Sequence, residues 1–248
     1  MIGVQRASMI SPQIRFRDWL LQNVFKSRLG VVKAWVFSLF VLVSIVTSPA
    51  TADDSITNGV NAQPILVVLG DSISAGHGVD ASLGWVKQFS AKLEQSKSNI
   101  KVVNESISGE VTAGGLSRLP GILARHKPTW LIIELGGNDG LRGLSPKVMQ
   151  RNLDAKVKAA QATGAQVFLF GMKLPPNYGK HYNQLFEQAF VKVADANQIP
   201  LLPFFLDGVG GVDEYMQSDR IHPNNDAQVI LMNNAWTFLS AYLPLDSK

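Results

Sequence analysis

The residue types that could carry chemistry in this chain fall into four short polar clusters. GDSIS begins at position 70, ESISGE at 105, GGND at 136 and SDRIHPN at 218. Together they hold a serine hydroxyl, an imidazole, several carboxylates and an amide. Hydrolysis by a serine nucleophile requires these groups, because the hydroxyl needs a base, the base needs an orienting carboxylate, and the oxyanion needs hydrogen-bond donors.

Asp219 and His222 are close enough in sequence to act as a pair. They are three residues apart, so that within one turn the carboxylate can accept a hydrogen bond from the Nδ1–H of the ring. The other ring nitrogen would then be free to take the proton of Ser72. The chain order would be Ser, Asp, His, which is one of several orders that this geometry permits.

Taken singly, each cluster also fits a structural role. Gly, Asp and Ser all favour turns, and the Asn of GGND tolerates a positive φ in a loop. GDSISAG is not a phosphate-binding loop, because it lacks the GxxxxGK[ST] spacing and its lysine. It is not the GxSxG nucleophile elbow either, because Ser74 stands where that motif has Gly. The combination of the clusters is therefore more informative than any one of them.

Short apolar segments place these clusters in a fold. Five of them predict strands buried on both faces, and between them apolar residues recur at helical spacing, as at Met149, Leu153 and Val157. Ser145 and Pro146 predict a helix start, and a last helix is expected over about 225–243, with Tyr242 facing inward. The strand segments are PILVVL at 64–69, IKVVN at 100–104, WLIIEL at 130–135, QVFLFG at 166–171 and PLLPFF at 200–205.

This alternation predicts one α/β domain with a five-stranded parallel sheet. Right-handed crossovers would cover both faces of the sheet with helices. In open parallel sheets, ligands bind at the carboxyl ends of the strands. The four clusters follow the first, second, third and fifth predicted strands, so we expect them to meet at one sheet edge.

The same clusters resemble the four signature blocks of the SGNH (GDSL) hydrolases. More narrowly, LGDSISAG, ELGGNDGLRG, LPPNYGKHYN and IHPNNDAQ are similar to the bacterial periplasmic thioesterase I, lysophospholipase and arylesterase group. The resemblance covers about residues 64–243. It implies a three-layer α/β/α sandwich of the flavodoxin type and a monomeric enzyme that hydrolyses carboxylic esters and thioesters, lysophospholipids included. Two alternatives remain open, a carbohydrate deacetylase of the same family and a silent lipid- or glycan-binding module on the same fold.

The resemblance also implies roles for individual residues. Ser72 would be the nucleophile, His222 the base and Asp219 its orienting partner. The oxyanion donors would be the backbone N–H groups of Ser72 and Gly109 and the side-chain amide of Asn138. Less specifically, it implies that the loop with Pro175, Pro176 and Tyr178 borders the acyl chain, with a loop that only packs as the alternative, and that the stretch 110–120 is a mobile loop. From the residues themselves, we expect Asp71 to support the turn, and His77 to lie at the rim because it has no carboxylate at a useful spacing.

The charge of the chain is concentrated in an N-terminal leader. Residues 1–52 hold six Lys or Arg and one acid, whereas 17 basic and 18 acidic residues follow, so the basic balance gives no argument for nucleic-acid binding. The leader has a basic start, the apolar run AWVFSLFVLVSIV at 34–46 and the small residues SPATA, which is typical of an export signal. Cleavage after Ala52 would leave a short lead-in at 53–63 and the domain at 64–248. An uncleaved anchor and a later start at Met9 are the alternatives.

The remaining composition narrows the chemistry. The chain has no cysteine, which excludes a thiol nucleophile, thiolate metal ligands and a lipid anchor on cysteine. Its four histidines, at 77, 126, 181 and 222, lack metal-site spacing. We therefore expect no metal and no cofactor, a small-molecule substrate, and no membrane span once the leader is removed.

Overall fold

The computed structural model describes residues 63–245, and the leader at 1–52 with most of the lead-in lies outside them. The strands are β1 (Ile65–Gly70), β2 (Lys101–Asn104), β3 (Trp130–Glu134), β4 (Gln166–Phe170) and β5 (Leu201–Leu202). The α-helices are α1 (Ser72–Ala75), α2 (Trp85–Gln95), α3 (Thr112–His126), α4 (Gly137–Leu141), α5 (Pro146–Gln161), α6 (Lys180–Asn197) and α7 (Gln228–Leu239). Two short 3₁₀ turns cover Pro176–Tyr178 and Asp213–Tyr215.

The five strands form one parallel sheet in the order β2-β1-β3-β4-β5. This order confirms the predicted α/β fold of the flavodoxin type. The order reverses between β1 and β3, which pair in register from Leu66 opposite Trp130 to Gly70 opposite Glu134. Ligands bind at such a switch point in open α/β sheets, and the segments after β1 and β3 carry GDSIS and GGND.

Helices pack in two groups around the sheet. Helix α2 packs on α7, while α5 packs on both α3 and α6. The predicted stripe of α5 is buried at Met149, Leu153 and Val157, and the helix starts after Ser145 with Pro146 in its first turn. Across residues 63–245, none of the helices has the length and apolar character that a bilayer crossing would need.

The core lies on both faces of the sheet because β1 and β3 carry no polar side chain except Glu134 at the carboxyl end of β3. Leu66 to Leu69 and Leu131 to Ile133 are fully buried. On the α2–α7 side an aromatic cluster fills the space, with ring centroids of Trp85 and Phe205 5.0 Å apart. This packing holds the carboxyl ends of β1 and β3 rigidly against each other.

Three local predictions were wrong. Tyr242 lies beyond the end of α7 and is 42% exposed. Strand β5 stops at Leu202, because Pro203 offers no N–H to continue the ladder. Most of the stretch 110–120 is the start of α3 rather than a loop; its two glycines face Glu110 and Leu135 at close range, so the helix needs small residues there.

Candidate active site

Ser72 sits at the first position of a short helix directly after β1. Asp71 caps this helix, with its Oδ1 accepting the N–H of Ile73 at 3.0 Å. Asn104 at the end of β2 donates to the carbonyl of Ser74 at 2.7 Å. The turn is thus fixed at both ends. Ser72 is only 7% exposed, and it lines a cavity on the surface.

His222 bridges Ser72 and Asp219. Its Nε2 lies 2.9 Å from Ser72 Oγ, and its Nδ1 lies 2.7 Å from Asp219 Oδ2. The other carboxylate oxygen, Oδ1, accepts the backbone N–H of Ile221 at 2.9 Å and that of His222 at 3.0 Å. The structure therefore brings together the serine, imidazole and carboxylate that the sequence pairs across 150 residues.

Asp219 remains ionised over the ordinary pH range. Partial burial raises the pKa of its carboxyl, but the hydrogen bonds from the His222 ring and from the N–H groups of His222 and Ile221 outweigh burial and lower the pKa to about 2. A carboxylate accepts but does not donate, so His222 carries its proton on Nδ1. Its Nε2 is then an acceptor for the hydroxyl of Ser72.

The three predicted oxyanion donors differ in whether they already donate a hydrogen bond within the protein. Within residues 63–245, the backbone N–H groups of Ser72 and Gly109 donate to no other atom. Gly109 has a φ of +79°, a conformation that favours glycine. The amide of Asn138, however, donates to Asp71 Oδ2 at 3.1 Å and to the carbonyl of Glu110 at 3.2 Å. It can serve an oxyanion only by exchanging one of these bonds.

Two buried carboxyls lie beneath the serine turn. Burial raises the pKa of Asp71 to about 6, although the N–H of Ile73 and the amide of Asn138 oppose the rise. Burial and the charge of Asp71 raise the pKa of Glu134 well above its usual range. Glu134 Oε2 accepts the hydroxyl of Ser74 at 2.6 Å and lies 3.4 Å from the backbone nitrogen of Asp71. The raised pKa favours the neutral, protonated form of Glu134 beside Asp71.

A cavity of about 880 Å³ opens beside the serine, a size typical of sites for small molecules. Ser72, Asn138, His222 and Asp219 lie along it, and so do the three loop residues predicted to border an acyl chain, Pro175, Pro176 and Tyr178. Gly109 is not among the residues that line it. The sequence prediction missed apolar lining residues, because they look like ordinary core positions: Leu141, Met172, Phe204, Leu206 and Met216.

The rim of the site is polar. His77 is exposed, as predicted, and its ring lies against His222 with centroids 4.6 Å apart. Arg142 donates to the carbonyl of Gly109 at 3.0 Å, and Tyr178 donates to the carbonyl of Leu141 at 2.9 Å. Within residues 63–245, no three His, Asp or Glu side chains are grouped so as to hold a metal ion.

Comparisons with known proteins identify relatives of this chain. Residues 68–230 match the model of the GDSL-like Lipase/Acylhydrolase family. The chain is 49% identical to Esterase TesA of Pseudomonas aeruginosa over 188 residues, 76% of this chain and 93% of that protein. It is 44% identical to Thioesterase 1/protease 1/lysophospholipase L1 of Escherichia coli (strain K12) over 167 residues, 67% of this chain and 79% of that one. The crystal structure of the psychrotrophic esterase EstA from Pseudoalteromonas sp., inhibited by monoethylphosphonate, is 38% identical, with a TM-score of 0.70 over 72% of this chain and 97% of that one.

Proposed function

The chain belongs to the GDSL-like lipase/acylhydrolase family of ester-cleaving serine hydrolases, and we propose that it hydrolyses carboxylic esters and thioesters through an acyl-enzyme on Ser72. The observation that carries this proposal is the continuous set of hydrogen bonds from Ser72 Oγ through His222 to Asp219, at 2.9 and 2.7 Å. In such an arrangement the serine is a nucleophile activated by an adjacent base, which is itself oriented by a third group.

In the first half of the reaction, Ser72 Oγ attacks the acyl carbon while His222 Nε2 takes the hydroxyl proton. The ionised Asp219 stabilises the imidazolium that forms. His222 then gives the proton to the leaving alkoxide or thiolate, and the carbon–oxygen or carbon–sulfur bond breaks. In the second half, water attacks the acyl-enzyme, its proton passes to His222, and Ser72 recovers its hydroxyl as the acid departs.

The negative charge of each tetrahedral intermediate is held by the N–H groups of Ser72 and Gly109 and by the Asn138 amide. The two backbone donors carry no other hydrogen bond within residues 63–245, which leaves them free for an oxyanion. Asn138 would release either Asp71 or the carbonyl of Glu110 as the charge develops. Donors that gain a stronger partner only in the transition state raise kcat rather than affinity.

The cavity favours an acyl group as the part of the substrate that is bound. Ser72 and His222 line the cavity, and much of the remaining lining is apolar, with side chains such as Leu141, Met172 and Phe204. Relatives named esterase, thioesterase and lysophospholipase fit the same substrate range. We propose aryl esters, acyl thioesters and lysophospholipids as substrates of a monomeric enzyme. An acetylated sugar would leave this apolar volume unused.

Labelling with a fluorophosphonate tests the nucleophile directly. The purified chain should gain the mass of one phosphonyl group on Ser72 and lose ester hydrolysis in proportion, whereas Ser72→Ala should do neither. Ser82→Ala, in an exposed nearby loop, is the matched control and should label normally. Hydrolysis by Ser72→Ala near the parent rate would refute the proposal. A panel of aryl esters, acyl-CoAs, lysophospholipids and acetylated sugars then separates the esterase from a deacetylase.

We further propose that residues 1–52 direct export and are removed after Ala52, so that the domain acts in the periplasm or is secreted. The basic start and the short apolar run support this proposal. Intact mass of the protein made in a bacterial host tests it. A chain starting at Asp53 in the periplasmic fraction is expected, and a full-length chain in the membrane fraction would show an uncleaved anchor instead.

A further inference from the structure

Lys156 is a lysine buried in the position of a core residue. It lies on α5, seven residues after Met149 and on the same buried stripe, and it is 0% exposed. Its Nζ donates to the backbone carbonyl of Thr112 at 2.7 Å. A buried ammonium is costly unless it is paired or strongly hydrogen-bonded. A lysine in such a place therefore calls for a specific partner.

Thr112, the partner of Lys156, is held at every polar atom. Its N–H donates to Asp139 Oδ2 at 2.7 Å and its hydroxyl donates to Asp139 Oδ1 at 2.5 Å. The same hydroxyl accepts from Asn152 at 3.1 Å. Asp139 itself is only 3% exposed. The contacts form a single buried group, the Thr112 clamp, consisting of Thr112, Asp139, Asn152 and Lys156.

The Thr112 clamp joins the two chain segments that carry oxyanion donors. Thr112 is three residues after Gly109, and Asp139 directly follows Asn138. These segments follow different strands, β2 and β3, which are not neighbours in the sheet. No ladder hydrogen bond can therefore set their separation. The bidentate contact of Asp139 with Thr112 joins them instead, together with the hydrogen bonds that Asn138 and Arg142 donate to the carbonyls of Glu110 and Gly109.

The charge of Lys156 balances this buried clamp. The charges of Asp139 on α4 and of Glu110 in the loop before α3 both act on Lys156 and favour its charged form. Glu110 has its own partner, because Arg118 binds its two oxygens at 2.7 and 2.6 Å. Asp139 has no cation within 4.0 Å among residues 63–245. Lys156 is also beyond that distance, so its charge acts on Asp139 through space as a more distant counter-charge, while its Nζ binds the carbonyl of Thr112.

We propose that Lys156 is a positioning residue for the oxyanion site, acting through Thr112 and Asp139 on the placement of Gly109 and Asn138. The inference rests on the function proposed above, in which those two residues are oxyanion donors. Lys156 touches no substrate in this scheme. Its effect should appear in the transition state, where donor placement matters most, and hardly in substrate binding.

The same arrangement predicts a pH dependence. Burial lowers the pKa of Lys156 to about 8, although the charges of Asp139 and Glu110 oppose the shift. Above that pH the neutral amine can still donate to Thr112, but Asp139 loses its counter-charge. Of the other groups near the clamp, Arg118 stays charged, and burial and the charge of Asp139 raise the pKa of Tyr182 on α6. A fall of kcat beginning near pH 8 is therefore assigned to Lys156.

Lys156→Met tests the proposal, because methionine has a similar length and no charge. Lys158→Met, two residues on and with a side chain 65% exposed, is the matched control. We expect kcat per fluorophosphonate-titrated site to fall about 10- to 100-fold, less than the roughly 10²–10³ for removing a donor outright, with KM within about twofold. The alkaline fall in kcat should also disappear. A kcat per titrated site equal to that of the control would overturn the proposal.

A second variant covers the case in which Lys156→Met folds poorly. Lys156→Met combined with Asp139→Asn removes both buried charges and keeps an acceptor for the Thr112 N–H. We expect this double variant to fold, to recover part of the lost kcat and to show no alkaline fall. A folded double variant that keeps the alkaline fall near pH 8 would overturn the proposal. If Ser72→Ala still hydrolyses esters, the proposed function itself fails, which is a separate result.

Discussion

Replacing Asp219 by asparagine should harm the enzyme more than replacing it by alanine. The reason lies in the two oxygens of Asp219, which have different tasks. Oδ1 accepts two backbone N–H groups, from Ile221 and His222, and Oδ2 faces His222 Nδ1 at 2.7 Å. In Asp219→Asn the amide oxygen must keep the two backbone bonds. The NH₂ group then faces Nδ1 and forces the ring proton onto Nε2, where it blocks the acceptor that Ser72 needs.

The magnitude follows from what holds the amide in that orientation. Turning it over would give up two backbone hydrogen bonds worth about 1 kcal/mol each, so the wrong tautomer is favoured by about 2 kcal/mol, or roughly 30-fold. Asp219→Ala imposes no tautomer, and solvent can reach the imidazole because the Asp219 side chain is 42% exposed. We therefore expect Asp219→Asn to lie about 30-fold below Asp219→Ala in kcat/KM. Relative to the parent, Asp219→Asn should lose about 10⁴-fold, as in serine-protease triads.

Steady-state kinetics of aryl-ester hydrolysis measure kcat/KM of the parent, Asp219→Ala and Asp219→Asn. The rate of fluorophosphonate labelling reports the nucleophilicity of Ser72 independently. Asp226→Asn, exposed in the same loop, controls for the loss of one charge and should leave both rates unchanged. Circular dichroism should show that all variants are folded. The reasoning would be refuted if Asp219→Ala were as slow as Asp219→Asn, or if Asp219→Asn kept more than about a tenth of the parent activity.

Three other substitutions test the oxyanion donor, the buried carboxyl and a strained glycine. Asn138→Ala should lower kcat by about 10²–10³ with little change in KM, and a loss below about fivefold in steady-state kinetics would contradict its role. Because burial raises the pKa of Glu134, the folded chain holds a proton that the unfolded chain releases above the usual value of 4.5, so stability falls as the pH rises. Glu134→Gln removes this dependence, so its Tm relative to the parent should rise as the pH increases above 4.5; a difference in Tm that does not change with pH would contradict this reasoning. Gly136→Ala should cost about 2 kcal/mol or more of unfolding free energy, because Gly136 has a φ of +126° and its Cβ would lie 2.9 Å from Phe190. The control Gly121→Ala, which has open space around its Cβ on α3, should gain about 0.5–1 kcal/mol of unfolding free energy. Equal effects of the two substitutions on the unfolding free energy in urea would contradict the strain at Gly136.

Much of the fold could be predicted from the sequence because its signals are local. The apolar runs that became β1, β3 and β4 are long enough to be buried on both faces, and the helical stripe of α5 is regular. The errors fall where tertiary contacts override local preference. The glycine pair at 114 and 115 suggests a loop, yet it lies in α3 because α3 must approach Leu135 closely there.

The sequence by itself determined which chemical groups are available and in which order they follow the strands. Ser72, Asp219 and His222 could be singled out because their clusters follow apolar strands of one parallel sheet and supply a nucleophile, an acid and a base, whereas Asn138 is singled out by the resemblance to the SGNH hydrolases. Only the tertiary structure decided that the Asn138 amide is already engaged by Asp71 and Glu110, and that Lys156 is buried behind the site. From the sequence alone, a lysine on a helix is predicted to be exposed, because its buried hydrogen-bond partner cannot be seen. Burial and hydrogen bonding depend on contacts between residues far apart in the chain, and no local pattern records them.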